Sequence, residues 1–330
     1  MLRRAIGVVA LLAATVLAGA SSGRTAAPGT TTLLARYEPV LHLYRADWKP
    51  SAVEPFLAAA DLERLTAGTW RLVLRSPPAS ALANRSSLFR LDTRGCTPAR
   101  DLDSCYPRRP TPPSVYGRVW SAPAGSSGIA TVLQYWLFYP LDDWRTPPAA
   151  PLLWHMHEGD WEEVSVGLDA VGRPVSVAAS QHDVGVTRTW TRVRRRSGTH
   201  PVVYVALGSH ANYLSPGYHG VPGVPHVIPT GFSGVPLPEP DYTSAQVSLG
   251  PPGTASGVLG VVDLTNGAAP WLTFAGAWGD GSYILAGERT SHGIAYTHLR
   301  VGDSPTGPAL HDIWRNPLLQ FRTWPPDDGH

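Results

Sequence analysis

The hydrophobic positions of this chain fall mostly into short runs of β-branched and aromatic residues, separated by Gly and Pro. These runs predict strands at Trp70–Leu74, Val132–Tyr139, Trp161–Leu168, Pro174–Ala179, Val186–Val193, Val202–Leu207, Val258–Leu264 and Ile294–Leu299. One helix is predicted over Ser51–Ala67, because Val53, Phe56, Leu57 and Leu65 lie roughly on one side and Gly68 can end it. The pattern therefore indicates a mainly β fold.

Proline and glycine also mark the connections between these elements. The chain has 33 Gly and 33 Pro among 330 residues, and Pro107–Pro113, Thr146–Pro151 and Gly217–Pro240 are rich in both, which predicts long surface loops. No internal repeat and no clear linker divides the sequence. We therefore expect a single β-sandwich domain over residues 33–330 with one N-terminal helix, and a barrel is the alternative.

The N-terminus has the pattern of a bacterial-type export signal. Arg3 and Arg4 precede the apolar run Ala5–Ala18, and Ala18-Gly19-Ala20 is a small-x-small cleavage site. The run of 14 residues is shorter than the roughly 20 that a spanning helix needs, although a retained anchor is the alternative. The sequence predicts a signal peptide over 1–20 cut after Ala20, a flexible lead over 21–32, and secretion.

The charge and the cysteine content indicate which partners and which redox compartment to expect. The formal net charge of +2 is too small to imply nucleic acid as a partner. The two cysteines, Cys96 and Cys105, predict one local disulfide in an oxidising compartment, worth about 2–3 kcal/mol in the chain-entropy description. A metal site is the alternative for these cysteines, but it would require cysteine pairs at closer spacing or nearby histidines.

The segment from His157 to Glu162 carries the candidate chemistry. If the chain is extended from Asp160 onward, Asp160 and Glu162 share a face with Val164, Val166 and Leu168, which is the buried face. Buried carboxylates need a cation or a hydrogen-bonding partner. His157 lies on the entering turn and can reach the same point. One nitrogen and two carboxylate ligands describe a site for Mg²⁺, Ca²⁺, Mn²⁺ or Zn²⁺.

The histidine distribution supports a site in this region. Seven of the 12 histidines lie between residues 155 and 226, and His155, His182 and His210 are candidates for contacts around the ligands, together with Trp161 and Tyr213. On spacing alone, the favoured interpretation is that the histidines are ordinary loop residues and that Asp160 and Glu162 pair with arginines. A metal site is the alternative interpretation.

Several longer motifs resemble a known family. They are Tyr37–Leu41, Pro50–Glu54, Leu133–Pro140, His157–Glu162, Gly208–Tyr213, Ala275–Gly279 and Ser304–Pro308, followed by Trp314. In this order they resemble the vacuolar protein sorting-associated protein 62 family, whose biochemistry is poorly known. The resemblance extends from about Arg36 to Pro317.

The central region, residues 130–215, is also similar to the necrosis- and ethylene-inducing-like cytolysins. Those proteins are secreted β-sandwiches with a G-H-R-H-D-W-E heptapeptide whose first histidine, aspartate and glutamate hold a divalent metal. The resemblance implies His157, Asp160 and Glu162 as ligands, with Asp142 or Asp143 as a further acidic ligand. This chain has Glu158-Gly159 where the cytolysins have Arg-His, which argues against toxin-like activity.

Two other features have both a functional and an ordinary interpretation. Alternation over residues 187–196 places four side chains on one face, Arg188, Trp190, Arg192 and Arg194, with Arg195 and Arg196 beyond. Such a face suits an anionic membrane surface or acidic glycans, but it is also typical of a solvated hairpin. A set of aromatic residues suits a sugar platform but is more common in a sandwich core. This set is Trp154, Trp161, Trp271, Trp278 and Tyr213.

Three functions follow from these observations. The favoured hypothesis is a secreted module that uses the metal to bind a glycan or a lipid head group. The alternative is a metal-dependent hydrolase of a phosphoester or glycan, with Glu158 as the candidate base. The third is an exported structural domain in which Asp160 and Glu162 are satisfied by arginines.

Overall fold

A computed structural model describes residues 29–96, 106, 113–126, 128–146, 153–182, 184–220, 240–267, 269–291 and 293–327. The predicted signal peptide, most of the predicted lead, Cys105 and most of the three predicted loops lie outside the described residues. No helix in the described ranges is long and apolar enough to cross a membrane.

The described elements are mostly strands. The helices are α1 Thr30–Tyr37, α2 Glu54–Ala59, α3 Asp312–Arg315 and α4 Leu318–Thr323, and short 3₁₀ turns lie at Ala79–Leu82, Trp190–Arg192, Pro270–Thr273 and Pro308–Leu310. The first ten strands are β1 Val40–Leu43, β2 Ala60–Thr66, β3 Thr69–Arg75, β4 Phe89–Thr93, β5 Ser114–Ser121, β6 Thr131–Thr146, β7 Leu153–Leu168, β8 Pro174–Gln181, β9 Val184–Thr189 and β10 Arg195–Arg196. The others are β11 His200–Val205, β12 Asn212–Tyr213, β13 Gly217–Gly220, β14 Pro240–Thr243, β15 Val247–Gly250, β16 Gly257–Val258, β17 Gly260–Asp263, β18 Ser282–Thr290 and β19 Gly293–Gly302.

Two large sheets form the body of the fold. An eight-stranded sheet has the order β17-β5-β6-β7-β18-β19, with β8 paired to β7 and β9 to β8. A six-stranded sheet has the order β10-β11-β1-β15-β16, with β12 paired to β11. The long antiparallel pair β6–β7 is the centre of the first sheet. Smaller sheets are formed by β3-β2-β4 and β13-β14.

The β6–β7 pair is buried on both faces. On one face Leu133, Leu137 and Val164 share a core with Val203 of the six-stranded sheet, so the two sheets pack against each other as a sandwich. On the other face Trp136, Phe138 and Trp161 pack into an aromatic core with Trp271, Phe274 and Trp278. The mainly β sandwich predicted from the sequence is confirmed, with a second core added behind its larger sheet.

The predicted helix Ser51–Ala67 is wrong in its second half. The helix covers only Glu54–Ala59, and the chain continues as β2. Ala60 and Leu62 are buried and alternate with polar residues, which is the period of a strand. Ala67 and Gly68 both have positive φ, 49° and 76°, and they form the turn that returns the chain into β3.

Other predicted boundaries also differ. Helix α1 begins at Thr30, inside the predicted flexible lead, because Leu34 and Tyr37 are buried and the Thr30 hydroxyl donates to Asp263 at 2.7 Å. The ends of the predicted Gly217–Pro240 loop pair as β13 and β14. Strands β6 and β7 are each 16 residues long, about twice their predicted length, and this extension places charged residues within the sheet.

Candidate functional site

The candidate site lies in the part of the β6–β7 pair where the two strands continue beyond their predicted ends. Asp160 is opposite Tyr139 in the ladder, and His157 is opposite Asp142. Between His157 and Asp160 the chain passes through Gly159, whose φ is +65° and where a Cβ would overlap the Trp278 carbonyl. Only glycine fits this position without strain. The ladder therefore brings Asp142 of β6 to the segment of β7 that carries His157, Asp160 and Glu162.

A histidine from another loop closes the site. His210 is fully buried, its Nδ1 lies 2.8 Å from Asp160 Oδ2, and its Nε2 lies 3.7 Å from Asp47 Oδ1. The ring stacks on Tyr139 with centroids 3.8 Å apart. Burial lowers the pKa of His210, but hydrogen bonding and charge from Asp160 and Asp47 outweigh it and raise the pKa to about 10. These surroundings therefore favour the protonated form of His210, which is hydrogen-bonded to Asp160 and has Asp47 3.7 Å from its Nε2.

Two further acids crowd around Asp160. Burial raises the pKa of Asp142 and of Glu162 well above their ordinary values, and the neighbouring Asp160 charge raises both further. The Ser180 hydroxyl donates to Glu162, and the Trp144 backbone N–H donates to Asp142 at 3.2 Å. In the described parts of the chain, no arginine or lysine pairs with Asp142, Asp160 or Glu162. The arginine pairing expected under the structural hypothesis is therefore not found there.

His157 is the most accessible member of the group. Its side chain is 22% exposed, Nδ1 lies 3.3 Å from the Glu158 carbonyl, and Nε2 lies 3.7 Å from Asp142 Oδ2. Burial is the largest influence on its pKa, which is lowered, so the imidazole is neutral at pH 7. A neutral imidazole is the form that binds metals.

The residues fit a cation by their chemistry but do not yet form a closed ligand set. Within the described residues, no three His, Cys, Asp or Glu side chains are already arranged to hold a metal ion. The Asp160 carboxylate is turned to His210 and that of Glu162 to Ser180. Metal coordination therefore remains a prediction, and it would require these two carboxylates to share or leave their present hydrogen bonds.

The two candidates for a further acidic ligand differ clearly. Asp142 lies against His157, as described above. Asp143 makes a bidentate ion pair with Arg145 at 2.9 and 2.8 Å and accepts a hydrogen bond from the Trp154 indole at 2.5 Å. Burial raises the pKa of Asp143, although Arg145 and Trp154 oppose that effect. Asp142 is therefore the better placed of the two.

The candidate base Glu158 is enclosed. Its carboxylate accepts hydrogen bonds from the Thr93 backbone N–H at 3.3 and 3.2 Å and from the Tyr106 hydroxyl, and the residue has 0% exposure. Burial raises its pKa to about 8. A water molecule has no open approach to this carboxylate, so the structure provides no support for Glu158 as a base.

Two of the surrounding candidates, His182 and Tyr213, belong to a second polar centre around Asp241. Buried Asp241 accepts hydrogen bonds from Ser209 at 2.5 Å, Tyr213 at 2.6 Å and His182 at 3.0 Å. Its charge also raises the pKa of Glu162, so this centre is close to the site. His155 and His182 both pack against Trp144, with ring centroids 5.1 and 4.7 Å apart. Trp161 packs in the aromatic core.

The arginine segment does not continue as a strand. Strand β9 ends at Thr189, and Trp190–Arg192 forms a 3₁₀ turn, so the predicted alternation of residues 188–194 is wrong. Arg188 is tied to Asp327 at 2.6 Å, and Arg195 donates to the Trp190 and Val193 carbonyls. Exposed arginine side chains remain at three positions of the segment, Arg192, Arg194 and Arg196.

The cysteine prediction remains open. Cys96 is 9% exposed and lies at the edge of the sandwich core. Cys105 lies outside the described residues, so the Cys96–Cys105 disulfide stays a prediction.

A small cavity lies beside Asp47, the carboxylate that faces His210 Nε2. It has a volume of about 150 Å³, and its walls include Asp47, Asp143, Arg145 and Gly208. Asp47 accepts the Gly208 backbone N–H at 3.2 Å, which anchors the loop that carries His210. Asp47 and Asp241 were not predicted from the sequence, because no local motif surrounds them and only long-range contacts give them a role.

Comparisons with known proteins agree with both resemblances. The chain is similar to vacuolar protein sorting-associated protein 62 of Saccharomyces cerevisiae, with 27% identity over 235 residues, which are 63% of this chain and 48% of the yeast protein. The chain thus spans about half the length of this relative. No protein-family model matches it.

Two solved structures have a partial likeness to this chain. NLPPya in complex with mannosamine has 17% identity and a TM-score of 0.33, covering 56% of this chain and 67% of that chain. Necrosis and Ethylene inducing Protein 2 from the causal agent of cocoa's witches' broom disease has 20% identity and a TM-score of 0.30, covering 56% and 67%. These are partial likenesses, and the site described above rests on contacts within this chain.

Proposed function

We propose that this protein is a binding module that holds a divalent cation through His157, Asp160 and Glu162, with Asp142 as a fourth ligand. The observation that carries the proposal is the crowding of three buried carboxyl groups beside a neutral imidazole. Apart from His210, no positively charged side chain in the described chain compensates them.

A cation would relieve an unfavourable arrangement. Buried carboxylates without counter-charge are costly, and burial, followed by the neighbouring Asp160 charge, raises the pKa values of Asp142 and Glu162. Carboxylate oxygens with one imidazole suit Ca²⁺, Mg²⁺, Mn²⁺ or Zn²⁺. His210 would then act from outside the ligand set by orienting Asp160.

The cation and the cavity beside Asp47 together suit the polar head group of a glycan or a lipid. The cavity walls include two carboxylates, which can accept hydrogen bonds from sugar hydroxyls, and the Arg145 guanidinium, which can donate to a phosphate. Mannosamine, which NLPPya holds in its complex, is a natural first probe. The exposed Arg192, Arg194 and Arg196 extend the proposal to an anionic membrane surface.

We also propose that the protein acts after export. The basic start, apolar run and small-residue cleavage site support this, and they lie within residues 1–20. Detection of the processed chain in the exported fraction, beginning at Ser21, would test the proposal. A chain that keeps residues 1–20 in the cell would contradict it.

The sharpest test of the metal site uses His157→Ala. In the absence of metal this change should alter the free energy of unfolding by less than about 1 kcal/mol, because His157 makes only long polar contacts. It should nevertheless weaken binding of Ca²⁺, Mg²⁺, Mn²⁺ or Zn²⁺ at least tenfold, measured by titration calorimetry on protein first treated with chelator.

A matched control lies on the opposite face of the same strand. Glu163 is as buried as Glu162 but is hydrogen-bonded to Ser165 and Gln320. Glu163→Gln should leave the metal affinity unchanged, whereas Glu162→Gln should abolish it. If no divalent cation binds the wild type, or if His157→Ala binds normally, the proposed site is wrong.

A further inference from the structure

Two exposed arginines, Arg194 and Arg196, lie on the face of the six-stranded sheet that is turned away from the sandwich core. Arg196 pairs with His200 of β11. The Arg194 carbonyl accepts a hydrogen bond from the Val202 N–H at 2.8 Å, which continues the ladder. Successive side chains of a strand point to opposite faces. Because Val203 packs in the sandwich core, Val202 lies on the other face, and the two arginines share that face.

A histidine of the neighbouring strand lies on the same face. Strand β1 is parallel to β11, and its His42 is paired with Tyr204. The two rings are stacked, with centroids 5.2 Å apart and an interplanar angle of 21°. The Tyr204 hydroxyl accepts a hydrogen bond from Arg194 Nη1 at 3.1 Å. Tyr204 therefore holds the Arg194 guanidinium on the side of the sheet where the His42 imidazole lies.

These three basic groups have no acidic partner in the described part of the chain. Neither arginine is paired with a carboxylate there, and the Arg196 side chain makes no hydrogen bond there. Burial, followed by the positive charges of Arg196 and Arg194, lowers the pKa of His42. Two guanidinium groups that both act on one imidazole also repel each other. An anion bound between them would relieve that repulsion.

His42 adds a directed hydrogen-bond donor to the two charges. The residue is 8% exposed, and its Nδ1 is enclosed without a partner. Its Nε2 has no partner among the described residues either, but this atom is not enclosed. A neutral imidazole with its proton on Nε2 donates one hydrogen bond from that atom. Nε2 is therefore the ring atom that can contact a ligand beside the arginines.

The chemistry of the three groups selects a phosphate. A guanidinium donates two parallel hydrogen bonds in a fixed fork that matches two phosphate oxygens. Arg194 and Arg196 are two residues apart on an extended segment, which places their Cα atoms about 6.5 Å apart. Two arginine side chains at that separation can meet around one tetrahedral anion. A carboxylate has only two oxygens, whereas a phosphate has acceptors for both arginines and for the imidazole.

We propose that Arg194, Arg196 and His42 bind a phosphate group, either as the free ion or as the head group of a lipid. For the lipid source this site rests on the proposed contact with an anionic membrane surface, and for the free ion it does not. The metal ligands lie on the eight-stranded sheet, whereas this site lies on the six-stranded sheet. Phosphate binding here therefore requires no divalent cation.

The test uses the intact protein in chelator at low salt, with one probe for each source. Calorimetric titration with inorganic phosphate measures binding of the free ion. Sedimentation with phosphatidic acid vesicles, whose head group is a phosphate monoester, measures binding of the lipid. Phosphatidylglycerol vesicles of equal surface charge are the control for charge alone. We expect saturable binding of inorganic phosphate, or sedimentation with phosphatidic acid that exceeds sedimentation with phosphatidylglycerol.

Two variants and one control assign the binding to this site. Arg196→Gln should weaken phosphate binding about two- to tenfold, whereas Arg71→Gln, which removes the same charge from exposed β3, should not change it. His42→Phe keeps an aromatic ring against Tyr204 but has no donor. It should also weaken binding about two- to tenfold, without lowering the free energy of unfolding, because the ring nitrogens have no partner to lose.

The proposal is overturned if neither probe binds, if Arg71→Gln weakens binding as much as Arg196→Gln, or if His42→Phe binds normally. The last two results would mean that only diffuse surface charge attracts the anion. Binding of inorganic phosphate without binding of vesicles would refute the membrane contact and leave this site intact. Sedimentation with vesicles that Arg196→Gln does not reduce would overturn this site and leave the membrane contact. Because chelator is present throughout, failure of the metal proposal would not affect either result.

Discussion

Replacing His210 tests whether the carboxylates around it depend on its positive charge. His210 is fully buried, bonded to Asp160 at 2.8 Å and close to Asp47. Its pKa rises from 6.5 to about 10 on folding, and at 1.36 kcal/mol per pKa unit this gives an upper limit of about 5 kcal/mol. Removing one member of a buried ion pair costs about 3–5 kcal/mol. We therefore expect His210→Leu to lower the metal-free stability by about 3–5 kcal/mol at pH 6.

The pH dependence follows from the direction of the shift. Because the folded-state pKa is above the unfolded value, the stabilisation by His210 is complete below pH 6.5 and disappears as the pH rises through about 10. The difference between wild type and His210→Leu should therefore shrink from pH 6 to pH 10 in urea denaturation with chelator present.

Two controls make this experiment decisive. His200 is also buried, but its ring is hydrogen-bonded to the neutral Glu38 carbonyl, at 2.9 Å, rather than to a carboxylate, so His200→Leu should cost about 1 kcal/mol. The double variant His210→Leu with Asp160→Asn should recover part of the loss, because the unpaired charge is gone. A loss below about 1 kcal/mol for His210→Leu, or an equal loss at both pH values, would refute the reasoning.

Three other predictions concern the glycine turn, a buried acid and the arginine surface. In urea denaturation, Gly159→Ala should destabilise the protein clearly more than Gly172→Ala. Both glycines have positive φ, which costs an alanine about 1–2 kcal/mol, but of the two only Gly159 would also bring its Cβ into overlap with a backbone atom. Equal losses would contradict this. Burial raises the pKa of Glu38 to about 8. Between pH 4.5 and 8 the folded state therefore holds a proton that the unfolded state has lost. The free energy of unfolding then falls by up to about 1.4 kcal/mol for each unit by which the pH rises. Glu38→Gln should remove that slope, and an unchanged slope would argue against it. Arg194→Gln with Arg196→Gln should reduce sedimentation with phosphatidylserine vesicles, and undiminished binding would exclude these arginines as the contact.

Local pattern was enough to predict the part of the site that lies on one strand. The alternation from Asp160 to Leu168 correctly predicted a core-facing stripe, because Val164, Val166 and Leu168 recur at every second position on that face of the strand. The same reasoning did not find that Glu163 and Ser165 are buried on the other face, since a second core there has no signal in the local alternation.

The remaining parts of the site depend on long-range contacts. Asp47 and Asp241 reach the site through chain segments far away in sequence, and no motif around either residue indicates a partner. The length of β6 and β7 was underestimated because polar residues such as Asp142 and His157 interrupt the hydrophobic pattern. Those interruptions are the residues that make the candidate site.

The most direct measurement is the anomalous scattering of crystals grown with Mn²⁺. We predict one peak enclosed by His157, Asp160 and Glu162, at about 2.0–2.6 Å from their ligand atoms, with Asp142 completing the set. Crystals that contain Mn²⁺ elsewhere but show no density between these side chains, with Asp160 still directed at His210, would contradict the proposed site.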